Sequence, residues 1–212
     1  MTLQLFAREA SFILAPGAVV LPGYALPVVT ELLAAITTVT TQAPWRHMPT
    51  VGGHRMSVAM SNCGALGWTS DRSGYRYLPL DPGSGLPWPA LPESFLHLAQ
   101  HAAVQAGFDQ FLPDACLMNR YAAGTKLSLH QDQDECDFTQ PIVSVSLGLP
   151  ATFLFGGFAR GDRPQRVLLE HGDVVVWGGP ARLRYHGVAE LAPGQHPLTG
   201  PYRFNLTLRR AG

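Results

Sequence analysis

Charge is scarce in this chain. Only 14% of its 212 residues are Asp, Glu, Lys or Arg, against roughly 25% in an ordinary globular domain. Lysine is almost missing, with Lys126 the only one, and the formal net charge is zero. A neutral chain does not capture nucleic acid by bulk electrostatics, although a local basic groove stays open. Cysteine is sparse too: Cys63, Cys116 and Cys136 form no CxxC pair. Such an odd, scattered set reads as a reduced, cytoplasmic chain. No apolar run approaches the roughly 20 residues of a membrane span. The stretch SFILAPGAVVLPG is broken at Pro16 and Gly17, and Arg8 and Glu9 precede it without a strong basic region. It reads as a strand pair and not as a signal peptide. Internal repeats and low-complexity linkers are absent, and the length fits a single domain over residues 1–212. Nothing in the pattern points to an oligomer, so a monomer is expected.

What the chain does have is 46% hydrophobic residues, 22 glycines and 18 prolines. That composition folds, and it favours many short elements joined by turns. TELLAAITTVT puts Leu32, Leu33, Ile36 and Val39 at helical spacing, with Thr30 as the candidate N-cap. PESFLHLAQHAAVQAG gives a second helix with Phe95, Leu98, Ala99 and Ala102 on one face, stopped by Gly107. Residues 45–88 look irregular and aromatic. From Asp114 the apolar period changes to two, through CLMNRY, LSLH, PIVSVSLGL, ATFLFG, RVLLEHGDVVVWG, RLRYHGV and YRFNLTLR. About seven short strands with glycine turns predict a sandwich or jelly roll. The expected fold is mostly β, with two early helices packed on a β core at 114–212.

The chemistry concentrates in LSLHQDQDE. His130 and Asp132 are two residues apart on a strand-like segment, so their side chains share a face. A histidine and a carboxylate on one face can hold part of a metal ion's shell, and a third ligand must come from elsewhere. The candidates are His171, before a glycine turn, and His186, in or at the end of a strand; His186 is favoured. Two histidines and one carboxylate form the facial set of non-haem Fe(II) oxygenases, which leaves positions open for cosubstrate and dioxygen. HxD alone is weak evidence, because a surface histidine beside an acidic loop looks the same. A calcium loop in DQDECD is discounted, since the glycine at its sixth position is missing.

The last strand, RFNLTLR, adds weight. Arg203, Asn205, Thr207 and Arg209 alternate with Phe204, Leu206 and Leu208. An edge strand facing water would alternate in the same way. Two arginines on one strand face can also grip a dicarboxylate through paired hydrogen bonds. Asn119 and Tyr121 share a face in the same manner and can add donors.

With CLMNRYAAGTKLSLHQDQDE, IVSVSLGLPATFLFGG, LLEHGDVVVWGGPARLRYHGV, RFNLTLRRAG and MSVAMSNCGALGW in view, the chain resembles the AlkB family of alkylated-base dioxygenases. The similarity is close to the bacterial prototype and covers almost the whole chain. The resemblance implies a double-stranded β-helix with a nucleotide-recognition lid at 45–90. It implies His130, Asp132 and His186 as catalytic Fe(II) ligands. It implies 2-oxoglutarate held by Arg203 at its distal carboxylate and by Arg209 near the metal, with Asn119, Tyr121 and Asn205 completing the cradle. The implied reaction uses dioxygen and 2-oxoglutarate to demethylate 1-methyladenine and 3-methylcytosine in DNA, with RNA as a further substrate class. Formaldehyde, succinate and carbon dioxide are the products.

The lid has its own reading. Residues 45–77 hold Arg46, Arg55, Arg72 and Arg76 against one acid, Asp71, interleaved with Trp45, Trp68, Tyr75 and Tyr77. That mixture fits a surface that tracks a strand and stacks bases, as an enzyme that extrudes its target base requires. A loop whose aromatics simply pack on the core is the plainer alternative. By resemblance, Trp68 stacks on the flipped base opposite His130, Tyr75 contacts phosphates, Met60 lines the lid, Asp134 meets the exocyclic amino group, and Arg160 borders the pocket. Arg163 and Arg166 are expected in solvent. Gln133 stands where a lysine is expected in the bacterial prototype, and removes one positive charge beside the metal strand. A catalytically silent nucleic-acid-binding module on this scaffold is the rival reading, and the intact set of His130, Asp132, His186, Arg203 and Arg209 argues against it.

Overall fold

The computed structural model describes residues 11–212; Arg8 and Glu9, used above in reading the N-terminal stretch, lie outside the described residues. The strand pair expected there forms an antiparallel hairpin of β1 (Phe12–Ala15) and β2 (Ala18–Leu21). Gly17 makes its turn at φ +79, and a Cβ there would sit 2.5 Å from the Gly178 carbonyl oxygen, so only glycine fits.

Helix α1 spans Val29–Gln42 and α2 spans Glu93–Gln105. Thr30 is not the N-cap of α1. A 3-10 turn over Leu26–Val28, with proline at its start, winds directly into the helix; Val28 takes the cap position without a side-chain bond. The helix therefore begins before the threonine, because the fixed φ of Pro27 already sets up the turn. Gly107 adopts φ +85 just past α2, as a helix-stopping glycine should.

The rest is strand. Residues 45–88 are more regular than their composition implies: β3 (Ala59–Gly64), β4 (Gly67–Asp71) and β5 (Gly74–Leu78) form there. The strands β6 (Ala115–Tyr121), β7 (Leu127–His130), β8 (Ile142–Gly148), β9 (Ala151–Phe155), β10 (Gln165–Leu169), β11 (Val174–Trp177), β12 (His186–Val188) and β13 (Arg203–Arg209) follow. A seven-stranded sheet has the order β1-β2-β11-β8-β13-β6-β3, a four-stranded sheet has β10-β9-β12-β7, and β4-β5 stand as a separate hairpin. The N-terminal hairpin and β3 thus extend the large sheet beyond the strands that alternation revealed.

One face of the large sheet packs on the two helices. Leu32, Ile36 and Val39 of α1 and Phe95, Ala99 and Ala102 of α2 meet Val143, Val145, Val174, Val176, Leu206 and Leu208. The other face turns toward the small sheet, where Phe153, Phe155, Val175 and Trp177 form a second core. Strand β13 lies between β8 and β6, so its polar face is not an edge turned to water. Arg203, Asn205, Thr207 and Arg209 are all buried. Among the described residues, no helix is long and apolar enough to cross a membrane.

Candidate metal and cosubstrate site

The two histidines meet because two short strands of the small sheet pair. His130 ends β7, His186 begins β12, and they are direct cross-strand partners. Opposed residues on antiparallel strands carry Cβ atoms about 5 Å apart on the same face. The imidazole centroids are 4.4 Å apart. Asp132 lies two residues beyond β7. Its Oδ1 is 3.7 Å from His130 Nε2, and its Oδ2 is 3.6 Å from His186 Nε2. One ligand atom from each of the three lies within 4.8 Å of the others, which is the geometry for one metal ion.

The backbone fixes which ring nitrogens face inward. Nδ1 of His130 bonds to the Ser128 carbonyl at 2.8 Å, and Nδ1 of His186 to the Arg184 carbonyl at 3.1 Å. A carbonyl only accepts, so both Nδ1 atoms carry hydrogen and both Nε2 lone pairs are free for a metal. The His130 side chain is 32% exposed and lines a cavity. Desolvation there, with His186 beside it, drops its pKa to about 4, so the ring is neutral and ligand-ready at physiological pH. Burial would raise the Asp132 carboxyl, but Arg209 and the two histidines outweigh it and hold the pKa well below the usual range.

Behind the metal ligands lies a cavity of about 600 Å³, enough for a cosubstrate and a base together. Its floor is the polar face of the large sheet. Asn205 Nδ2 donates to Ser144 Oγ and the Val145 carbonyl, and Thr207 donates to Asn205 Oδ1. Arg203 is 1% exposed and donates from Nη2 to Ser146 Oγ. Among the described residues, its Nε and Nη1, the Asn119 Oδ1 and the Tyr121 hydroxyl are buried without a partner. The guanidinium lies over the Tyr121 ring, 5.1 Å from its centroid. Burial pushes the Tyr121 phenol up to about 12 against the opposing pull of Arg203, so it remains a donor. Buried polar atoms left without a partner cost several kcal/mol in total. A carboxylate satisfies the Arg203 and Tyr121 donors, so these residues fit the distal end of a dicarboxylate; Asn119 can meet it only through its amide N–H, since its oxygen accepts.

Arg209 sits at the metal end of this floor. Its Nε and Nη2 donate to Asp132 Oδ2 at 2.9 and 2.6 Å, and Nε is also 3.1 Å from Glu135 Oε1. Burial disfavours its charge, but Asp132, Tyr77 and Glu135 raise its pKa above the ordinary value.

The structure brings the other expected residues to the same cavity. Met60, Trp68, Tyr75, Asp134 and Arg160 all line it. Trp68 and Tyr75 stack with centroids 5.4 Å apart and planes at 15°, and Trp68 Nε1 donates to Asp134 Oδ2 at 2.8 Å. Arg160 lies over the Tyr185 ring at 5.8 Å. Arg163 and Arg166 are exposed. His171, the rival third ligand, instead accepts from Gly148 N and packs on His196, outside the cluster. Cys63 and Cys116 are buried cross-strand partners, and Cys136 is exposed.

Sequence reasoning missed Glu135 and Arg182. Both are buried, and they pair at 3.0 Å while Arg182 also donates to the Asp132 carbonyl at 2.7 Å. The only sequence signal was a glutamate inside an acidic run, which also describes a solvated loop.

Comparison with known proteins agrees with this geometry. The family model of the 2OG-Fe(II) oxygenase superfamily matches residues 17–209. The chain is 59% identical over 211 residues to the alpha-ketoglutarate-dependent dioxygenase AlkB of Salmonella typhimurium, covering 99% of this chain and 98% of that one. It is also 59% identical to AlkB of Escherichia coli, covering 94% and 92%, and 42% identical to the AlkB homolog of Caulobacter vibrioides, covering 99% and 93%. The solved structure of OsALKBH1 superposes with a TM-score of 0.83 at 29% identity, over 94% of this chain and 99% of that one, so the architecture is the double-stranded β-helix expected. The chain therefore belongs to the 2OG-Fe(II) oxygenase superfamily, as an AlkB-family dioxygenase working with Fe(II), 2-oxoglutarate and dioxygen.

Proposed function

We propose that this enzyme repairs alkylated DNA by oxidative demethylation of 1-methyladenine and 3-methylcytosine, with RNA as a further substrate. The observation that carries this is the composition of one cavity: a metal-ligand set and unpaired buried donors on its floor, stacked aromatics at its mouth. The relatives named AlkB support it at the level of the whole chain.

In this reading His130, Asp132 and His186 hold Fe(II). Arg203, with Asn119 and Tyr121, binds the distal carboxylate of 2-oxoglutarate; Arg209 and Asn205 serve its metal-proximal end. Bound there, Fe(II) with 2-oxoglutarate and dioxygen supplies the oxidising power to hydroxylate the N-methyl carbon, leaving succinate and carbon dioxide. The hydroxymethyl group then leaves the ring nitrogen as formaldehyde and restores the base. The protein's own part is positional. Trp68 stacks on the flipped base opposite His130, Asp134 accepts from its exocyclic amino group, Met60 closes the pocket, and Tyr75 and Arg160 meet the strand at the rim. Residues 45–90 form the recognition lid, and 114–212 the catalytic core. We place the enzyme in the cytoplasm as a monomer.

The test is an oligonucleotide carrying one 1-methyladenine, incubated with protein, Fe(II), 2-oxoglutarate and oxygen and weighed by mass spectrometry. Loss of one methylene's mass, dependent on 2-oxoglutarate, is expected. Succinate without any mass loss would move the search to another substrate.

A further inference from the structure

Glu135 follows the metal-binding segment by three residues, yet it lies behind the cavity wall. Neither Glu135 nor Tyr77 lines the cavity. The Glu135 carboxylate has three partners from three parts of the chain. Its Oε1 accepts from the Tyr77 hydroxyl at 2.8 Å and lies 3.1 Å from Arg209 Nε; its Oε2 accepts from Arg182 Nη2 at 3.0 Å. Tyr77 belongs to β5, directly across from Trp68 of β4. Tyr75 and Tyr77 share a face by the period of two, so the side of the hairpin that carries the Trp68–Tyr75 stack is also the side anchored through Tyr77. Arg209 spends Nε and Nη2 on Asp132 and Glu135. Among the described residues, these bonds use Nε and Nη2 and not Nη1, on a side chain that lines the cavity. One carboxylate oxygen thus joins the seat of the hairpin to the orientation of the arginine beside the metal ligands.

We propose that Glu135 is a positioning residue: it ties the docking of the β4–β5 hairpin to the orientation of Arg209 toward 2-oxoglutarate, so that cosubstrate binding and hairpin order reinforce each other. The proposal rests on the assignment of Arg209 to 2-oxoglutarate made above. The linkage is reciprocal, because any free energy by which an ordered hairpin improves 2-oxoglutarate binding is returned as hairpin order when 2-oxoglutarate binds. The buried, charge-assisted character of the bonds gives the linkage its strength.

The experiment uses the full chain with Fe(II) under anaerobic conditions, where 2-oxoglutarate binds without turnover. Two readouts are taken: 2-oxoglutarate affinity by titration, and amide hydrogen exchange over residues 67–78 with and without 2-oxoglutarate. In the wild type, 2-oxoglutarate is expected to slow exchange in the hairpin. Tyr77→Phe removes one hydroxyl without opening a cavity. It should abolish that slowing and weaken 2-oxoglutarate about tenfold, the order expected for one hydrogen bond to a charged group. Glu135→Gln should do the same, and Tyr77→Phe added to it should cost nothing more. A purely structural role would lower the melting temperature and leave both readouts alone, and that result would overturn the proposal. So would a wild-type hairpin whose exchange ignores 2-oxoglutarate. Arg209→Ala separates the two levels: if it binds 2-oxoglutarate like the wild type, the assignment of Arg209 itself falls, and the inference with it. If Arg209→Ala binds weakly while Tyr77→Phe and Glu135→Gln bind normally, only the inference falls.

Discussion

Asp132 serves two neighbours at once. Its carboxylate completes the cluster with His130 and His186 and also takes both hydrogen bonds from Arg209. The two alanine variants of the metal set should therefore differ. His130→Ala and Asp132→Ala should both lose turnover, read as formaldehyde release. Only Asp132→Ala strips Arg209 of a buried partner, which costs about 3 kcal/mol. Thermal unfolding of the metal-free proteins checks this, and equal melting temperatures would contradict it. Trp68 also has two roles, a stacking face and an indole N–H held by Asp134. Trp68→Ala should weaken binding of a damaged oligonucleotide by about 1–3 kcal/mol, while Trp68→Phe should keep most of that affinity and lose discrimination tied to Asp134. Fluorescence anisotropy with 1-methyladenine and unmodified oligonucleotides reads both. No loss in the alanine variant would return Trp68 to a packing role.

At the scale of elements, the metal site depends on how closely β12 approaches β7. Gly187 sits next to His186 with room for no side chain: a Cβ would lie 2.6 Å from the Leu127 carbonyl oxygen. That neighbour is backbone and cannot rotate away. Gly187→Ala should push the strands apart, cost about 1–3 kcal/mol of stability, and weaken Fe(II) binding by moving His186 off its position opposite His130. Unfolding curves and an anaerobic Fe(II) titration are the measurements. Unchanged iron affinity in a destabilised variant would show that the histidine pair does not depend on strand spacing.

At the scale of the molecule, the polar floor between the two sheets is unfavourable until something binds to it. Among the described residues, Arg203, Asn119 and Tyr121 keep buried polar atoms without partners, so ligands that bind only the folded chain should raise its stability markedly. Fe(II) with 2-oxoglutarate at a hundred times its dissociation constant adds about 2.7 kcal/mol. For a chain of this size that is a melting shift of about 5–10 °C, at roughly 2–4 °C per kcal/mol. Arg203→Ala should remove the part of the shift due to 2-oxoglutarate and keep the part due to metal. Differential scanning fluorimetry under argon reads the two contributions. A full shift in the variant would place the distal carboxylate elsewhere.

Much of this was legible in the residues. The period of two after Asp114 marked the β core, because a strand between a core and a cavity must alternate. The spacing of His130 and Asp132 put two ligands on one face for the same reason. Glycines such as Gly107 stopped elements where only a positive φ closes the turn. Local pattern could not show which strands are neighbours. RFNLTLR reads equally as an edge strand, and only its place between β8 and β6 turns its polar face into the floor of a cavity. His186 becomes the partner of His130 through a pairing across 56 residues of sequence. Residues 45–88 looked irregular because glycines, arginines and aromatics obscure the alternation in β4 and β5, while cross-strand hydrogen bonds impose it. Glu135 showed only as one more acid in an acidic run, and Arg182 carried no signal. Sequence sets what each segment can be, because propensity and periodicity are local. Which side chains share one buried volume depends on contacts between distant segments, and only the tertiary structure decides that.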